Sequence, residues 1–337
     1  ELHRINLWSR VANRVLVRVD EFHSSTFHEL ERRAKKVEWS RFLAPGQPVR
    51  FRVTCRKSKL YHSDAVAERL LRATGAKAAD AARANGVDTT EGDDEEPASD
   101  AQLFVARIAN DICTISADSS GELLHRRGYR QAIAKAPLRE TLAAAMLLGC
   151  EWDPATPLVD PMCGSGTIAI EGAMIARNLP PGIERRFAFE RWPSHDAAAW
   201  RRTLDEARAH ALPKAPARIV ASDRDAGAVK ATRENAERSG VLGDIEISER
   251  PVSAADYPDT PGWIVTNPPY GLRVGESAPL RNLYAQLGNI ARERAEEYRI
   301  AILSADAALE SQLRLDLHEV FRTTNGGIPV RLVAGGA

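Results

Sequence analysis

At 337 residues and 44% hydrophobic, the chain has the size of a two-domain globular protein, and no apolar run approaches the roughly 18 residues a membrane helix needs. Its 46 Lys and Arg balance 46 Asp and Glu, so net charge alone argues against a nucleic-acid partner. Cys55, Cys113, Cys150 and Cys163 form no C-x-x-C pair, which speaks against zinc and a secreted disulfide framework and fits a reducing cytoplasm. Nor do the histidines form an H-x-x-x-H or H-E-x-x-H pattern, so no metal is implied. The chain opens at Glu1 without Met or a charged-then-apolar leader, and the natural amino terminus is expected upstream.

Along the chain the charge is uneven. Residues 1–72 hold 16 Lys and Arg against 8 Asp and Glu, a net of +8, and residues 73–100 hold 2 against 8, a net of −6. The acidic stretch, about 75–100, is too polar to bury a core and reads as a solvated insertion loop. Around it, residues 14–19 alternate like a strand, 27–37 read as a helix and 49–53 alternate again. A helix is expected over 65–73, then a hairpin of 102–108 and 112–115 turning through Ala109-Asn-Asp111. These elements predict a small α+β domain over residues 1–120. Arg52, Arg56, Lys57 and Lys59 crowd one strand end beside Ser58 and His62, a set of donors suited to phosphate oxygens, although a solvated charged face would look the same.

A basic junction follows, with Arg126, Arg127 and Arg130 in Leu124-His-Arg-Arg-Gly-Tyr-Arg130 and then Lys135-Ala-Pro-Leu-Arg-Glu140, leading into a helix over 140–148. Either a linker or a contact surface for cofactor or RNA fits it. Pro137 sits where a helix start tolerates proline.

Residues 121–337 predict a Rossmann-like α/β domain. The strand over 157–159 delivers Asp160, after which Gly164 and Gly166 allow a sharp turn before a helix over 167–177. Gly164-Ser-Gly-Thr-Ile-Ala169 satisfies G-x-G-x-x-A, which raises a dinucleotide. The next strand-end carboxylate, Asp223 after the strand 217–222, lies far beyond the expected distance of about 20 residues. Asp160 and a short glycine turn suit the zwitterionic S-adenosylmethionine, with Asp223 placed to accept from ribose hydroxyls. The long insertion 178–216 is expected to wall the substrate cleft. A strand over 245–248 leads to Ser253 and Asp256, either of which is a candidate for the adenine edge.

The strand over 263–265 ends in Asn267-Pro-Pro-Tyr270. The exocyclic amine of a nucleobase is a poor nucleophile because its lone pair is delocalised into the ring. Two acceptors, the Asn267 side-chain oxygen and the Pro268 carbonyl, suit its two hydrogens and favour the pyramidal nitrogen. Pro268 and Pro269 stiffen the turn, and Tyr270 offers a face on which an unpaired base stacks. The competing account is a Pro-Pro turn with a core tyrosine. Cys163 has no adjacent base and reads as a packing residue rather than a nucleophile.

Asp160-Pro-Met-Cys-Gly-Ser-Gly-Thr-Ile-Ala-Ile-Glu-Gly-Ala173, Ser222-Asp-Arg-Asp225 and Asn267-Pro-Pro-Tyr-Gly271 resemble the THUMP-containing class I RNA methyltransferases. Within them the chain is most similar to the bacterial large-subunit rRNA guanine-N2 group, which Leu124-His-Arg-Arg-Gly-Tyr129 and Ala136-Pro-Leu-Arg-Glu140 also match. The resemblance implies an enzyme with a THUMP, ferredoxin-like RNA-binding region ahead of the methyltransferase domain; a cytoplasmic, monomeric, metal-free protein is expected. Pro161, Met162, Cys163, Ser165, Thr167 and Arg224 would join Asp160, Gly164, Gly166, Asp223, Ser253, Asp256 and Asn267 around S-adenosylmethionine. The partner would be rRNA, with tRNA guanine-N2 methylation, N6-adenine methylation and a non-catalytic RNA-binding assembly factor as rivals. Ser253 departs from the acidic or amide residue often found at the adenine contact.

Overall fold

The computed structural model describes residues 1–79, 100–131, 138–270, 277–293 and 298–336. Most of the acidic insertion, Lys135 to Pro137 and Gly271 lie outside the described residues. The chain divides into two units, residues 1–7, 12–124 and 185–203 in the first and 8–11, 125–184 and 204–337 in the second. The boundary expected at 120 therefore falls at 124. Residues 185–203, expected with the substrate cleft, pack within the amino-terminal unit instead, and the reason is aromatic burial. Phe187 and Phe189 stack at 5.4 Å, Trp200 stands edge-on to Phe189 at 5.2 Å, His3 lies 5.0 Å from Phe189, and Trp192 Nε1 donates to Gln102 Oε1 at 2.8 Å.

The first unit contains β1 (Leu16–His23), α2 (Phe27–Ala34), β2 (Val49–Arg56), α3 (Ser63–Thr74), β3 (Gln102–Ala109) and β4 (Ile112–Asp118), after a short α1 (Leu2–Trp8) that the sequence does not announce. The sheet order is β1-β4-β3-β2, with β2 and β3 parallel and the other pairs antiparallel. The expected hairpin turns through Asn110 and Asp111 at φ 52° and 62°, a left-handed conformation that these two residue types tolerate. Thr26 caps α2 by accepting from Glu29 N at 3.2 Å, while the Glu29 carboxylate accepts from Ser25 N at 2.9 Å.

The second unit begins with α4 (Glu140–Gly149), β5 (Leu158–Asp160) and α5 (Thr167–Ala176). After α6 (Ala197–Ala209), which straddles the division at residue 203, come β6 (Ile219–Asp223), α7 (Ala226–Arg238), β7 (Ile245–Glu249) and β8 (Gly262–Thr266). It closes with α8 (Ser277–Glu293), β9 (Tyr298–Ser304), α9 (Ala307–Leu313), β10 (Asp316–Asn325) and β11 (Ile328–Gly336). Its sheet runs β10-β11-β9-β8-β5-β6-β7, parallel throughout except that β11 is antiparallel to both neighbours.

Period-2 alternation sorts the strand side chains between two cores. Leu158, Ile219, Ala221, Trp263, Val265, Ala301 and Leu303 face one way, under α4, α5 and α7. Val159, Val220, Ile264, Ile300 and Ile302 face the other, under α8 and α9. Helices thus cover both faces, as strands of nearly continuous apolar sequence require. Strand order reverses between β5 and β8, the switch point where open α/β sheets leave a crevice at the carboxyl ends of their strands.

Gly288 on α8 lets that helix touch α9, since a Cβ there would stand 2.1 Å from the Leu313 carbonyl oxygen, a backbone atom that no rotamer change moves. Gly288→Ala is expected to destabilise the protein by ~2–3 kcal/mol despite its better helix propensity. Thermal unfolding should show a midpoint lowered by roughly 5–10 °C, and an unchanged midpoint would mean the two helices separate at little cost.

Candidate active site

Two motifs 106 residues apart meet at the switch point. Thr266 Oγ1, at the end of β8, donates to Asp160 Oδ1, at the end of β5, at 2.7 Å, and neither residue is more than 1% exposed. Asp160 also accepts from Met162 N at 3.3 Å. Burial pushes its carboxyl up to about 7, against the two hydrogen bonds and with a further push from the charge of Asp223. A carboxylate held in so dry a place calls for a cation.

The glycine turn between β5 and α5 is pinned from three sides. Cys163 N donates to Ser222 O at 2.9 Å, Gly164 N donates to Asp223 Oδ2 at 3.0 Å, and Gly166 N closes back onto Cys163 O at 2.7 Å. From α7, Thr232 Oγ1 donates to Gly164 O at 2.9 Å and Asn235 Nδ2 to Ser165 O at 3.0 Å. Gly164 has φ 56° and open space where a Cβ would point, so its backbone is free to meet a ligand. Gly166 has φ 84° and is constrained otherwise, because its Cβ would lie 2.6 Å from Thr232 Cγ2. Cys163 is buried, its Sγ 3.6 Å from Thr232 Oγ1, and burial raises its thiol far above the usual range. It is a packing residue.

Around this turn, Pro161, Ser165 and Thr167 are buried, and Met162 packs on the second core. Asp223 is partly exposed and its other oxygen accepts from Asp225 N at 3.0 Å; Arg224 is exposed. Ser253 is exposed on the turn after β7. Asp256 is elsewhere: it accepts from Arg218 at 2.8 Å, beside Glu246, at the amino ends of β6 and β7 and therefore at the opposite edge of the sheet. The loop from β7 to β8 descends across that edge, and this removes Asp256 from the cofactor candidates.

At the end of β8 the Asn267 side chain accepts from Tyr270 Oη at 2.8 Å, and Tyr270 Oη accepts from Asn325 Nδ2 at 3.0 Å. The Tyr270 ring is half-buried against the first core; Pro268 is buried and Pro269 exposed. The expected acceptor thus has a hydroxyl on one lone pair of its oxygen, and among the described residues no second donor reaches it.

Two of the expected RNA contacts are internal. Arg127 is 3% exposed; its Nε lies 3.4 Å from Glu171 Oε1 on α5 and its guanidinium donates to the carbonyls of Ser9 and Arg10. Arg130 donates to Leu138 O at 2.7 Å and to Glu140 at 2.9 Å, and burial holds Glu140 up to about 7. Arg127 and Arg130 thus brace the protein's own backbone and carboxylates, a role that sequence basicity alone does not distinguish from a binding face. Arg126 is partly exposed. In the first unit Arg52 is half-buried on β2, whereas Arg56, Lys57 and Lys59 are exposed. Arg56 and Lys57, with Ala109 and Asn110, line an open depression of about 370 Å³. Asp111 pins that loop, donating from N to Ser58 Oγ and accepting from Lys59 N, both at 2.8 Å.

Thr266, Thr232, Asn235 and Asn325 escape a reading of the sequence. A weak signal exists for two of them: Thr232 and Asn235 share the buried stripe of α7 with Val229 and Ala236, polar residues at helical spacing where apolar ones are the rule. Among the described residues the four cysteines are free, no group of three or more His, Cys, Asp or Glu gathers as a metal site, and no helix is long and apolar enough to cross a membrane.

Strand order, the glycine turn after β5 and the strand-end Asn-Pro-Pro-Tyr together define a class I methyltransferase domain. Residues 127–334 match the family model described as RMKL-like, methyltransferase domain, and the chain belongs to that family. A provisionally named RNA methyltransferase of Synechocystis sp. is 33% identical over 98% of this chain and 85% of its own length. The ribosomal RNA large subunit methyltransferase K/L of Saccharophagus degradans is 33% identical over 98% of this chain but 45% of its own length, so the chain spans about half of such relatives. The crystal structure of SMU.472, a provisionally assigned methyltransferase complexed with SAH, superposes with a TM-score of 0.82 at 28% identity, covering 100% of this chain and 87% of that one.

Proposed function

We propose that this protein transfers a methyl group to the exocyclic N2 of a guanine in RNA, with large-subunit ribosomal RNA as the substrate. S-adenosylmethionine is the cofactor, and the site suits it: Asp160 offers a buried anion for its ammonium, Gly164 an open backbone for close approach and Asp223 a partly exposed carboxylate for ribose hydroxyls. When bound, it supplies an electrophilic methyl on a sulfonium. The chain's own residues then hold the nucleophile. Asn267 Oδ1 and the Pro268 carbonyl accept the two amine hydrogens and draw the nitrogen lone pair out of conjugation, and the exposed part of the half-buried Tyr270 ring takes the base.

What supports this reading most is the hydrogen bond from Thr266 to Asp160, which ties the strand end just before Asn267 to the adjacent strand end that bears Asp160. Support for RNA comes from the names of the relatives and from the basic loop of the first unit, which we read as part of a THUMP-like RNA-binding domain. Nucleoside mass spectrometry on a large-subunit rRNA transcript treated with labelled cofactor tests the target: N2-methylguanosine is expected, and label in N6-methyladenosine would replace guanine by adenine as the substrate.

The role of the basic loop has its own test. Replacing Arg56, Lys57 and Lys59 together by Ala is expected to weaken RNA binding and to flatten the plot of log K against log salt by ~2, at roughly 0.7–0.9 per lost phosphate contact. An unchanged slope would place the RNA elsewhere.

A further inference from the structure

The hairpin joining β10 to β11 turns through Gly326 and Gly327 at φ 57° and 81°, with Asn325 paired to Ile328 across it. Two consecutive left-handed glycines make a tight turn that holds the adjacent Asn325 in one orientation. Ile328 and the Tyr270 ring both pack against the first core, so the two ends of the Asn325 to Tyr270 hydrogen bond are anchored independently. A phenol has one proton to give. Because Asn325 Nδ2 donates to Tyr270 Oη at 3.0 Å, the Tyr270 proton is directed to Asn267 Oδ1 at 2.8 Å. The polarity of this chain decides which end of the Asn267 amide is presented: oxygen toward the tyrosine, with its second lone pair available. Burial keeps the phenol protonated well past neutrality, so the chain does not reverse with pH in the working range.

We propose that Asn325 is a positioning residue for methyl transfer, acting through the Tyr270 hydroxyl to fix the orientation of the Asn267 amide as an acceptor for the substrate amine. This rests on the reading that Asn267 accepts that amine. Asn325 touches neither substrate nor cofactor; its effect is on the direction of a proton two hydrogen bonds away. An inverted donor at position 325 turns the tyrosine proton outward and lets the Asn267 amide flip, so that an NH2 group meets an NH2 group.

The test compares Asn325→Ala with Asn325→Asp in single- and multiple-turnover assays, using an unmethylated large-subunit rRNA transcript and labelled S-adenosylmethionine, with calorimetry of S-adenosylhomocysteine alongside. Asn325→Ala is expected to lower kcat by ~10-fold, the worth of about one hydrogen bond. Asn325→Asp, nearly isosteric but able only to accept, is expected to lower it by ~100-fold. KM for RNA and cofactor affinity should stay within about twofold, and Asn325→Ala should have no further effect in a Tyr270→Phe background. Loss of side-chain volume alone would make Ala the worse variant, so an Asp variant as active as wild type, or no slower than Ala, overturns the proposal. Asn267→Ala in the same assay separates the two claims: if it retains full kcat, the amine-acceptor reading itself has failed, whereas if it is inactive and Asn325→Asp is not, only the positioning role has.

Discussion

Asn267→Ala is expected to reduce methyl transfer by ~10²–10³-fold, the range seen when one preorganised hydrogen-bonding group is removed from a site where charge develops. The substitution deletes one of the two proposed amine acceptors and also leaves the Tyr270 hydroxyl without its acceptor, although Asn325 still donates to it. Cofactor affinity should change by no more than about twofold, because the Asp160 carboxylate and the glycine turn are held by Thr266, Met162, Asp223 and Asn235 and not by Asn267. Single-turnover transfer and calorimetry on the same preparation separate the two quantities. Full transfer by the Ala variant would remove Asn267 from the chemistry and leave the Pro-Pro bend as a structural turn.

Asp160→Asn is expected to weaken cofactor binding by ~10²-fold or more, since it replaces a buried charge-assisted contact to an ammonium by a neutral one. The accompanying pH dependence follows from the carboxyl being raised from 3.8 to about 7. Below that value the group is protonated and offers no charge, so affinity should rise as pH increases through about 7, with a proton released on binding. The sign for stability is opposite. A buried acid whose folded-state pKa lies above its unfolded value holds its proton more tightly when folded, so the ligand-free protein loses stability as pH rises from about 4 to about 7. Bound cofactor restores that loss, and its thermal shift should be larger at pH 8 than at pH 6. Calorimetry across this range checks the affinity profile. A flat profile in the wild type, or the same slope in Asp160→Asn, would mean that another group binds the ammonium.

Local chemistry explains which parts of this molecule its sequence reveals. Strands such as Ile219–Asp223 and Ile245–Glu249 and helices such as Ser63–Thr74 stand within a residue or two of expectation, because their periodicity and flanking turn residues all point one way. The glycine turn and the Asn-Pro-Pro-Tyr bend are legible for a related reason: each needs residue types that few other backbones require. Residues 185–203 are misleading because nothing local says that Trp192 will find Gln102, 90 positions away. Arg127 and Arg130 are misleading because an arginine that braces a helix and one that faces RNA have the same composition. Asp256 fails on topology, since a carboxylate after a strand belongs to the ligand edge only until the connecting loop turns back toward the next strand's start. Asn325 lies 55 residues from the tyrosine it orients, on a hairpin whose own sequence carries no trace of that contact.

In the proposed mechanism the ends of β5 and β8 form one pocket in which Asp160 grips the donor's ammonium while Asn267 and Pro268 grip the amine. A crystal structure of the protein with S-adenosylhomocysteine and a guanine-containing RNA fragment measures this directly. The expected complex has the homocysteine ammonium within hydrogen-bonding distance of Asp160, and guanine N2 between Asn267 Oδ1 and the Pro268 carbonyl, facing the cofactor sulfur. A guanine seated away from that bend, or an ammonium bound at a different carboxylate, would contradict it.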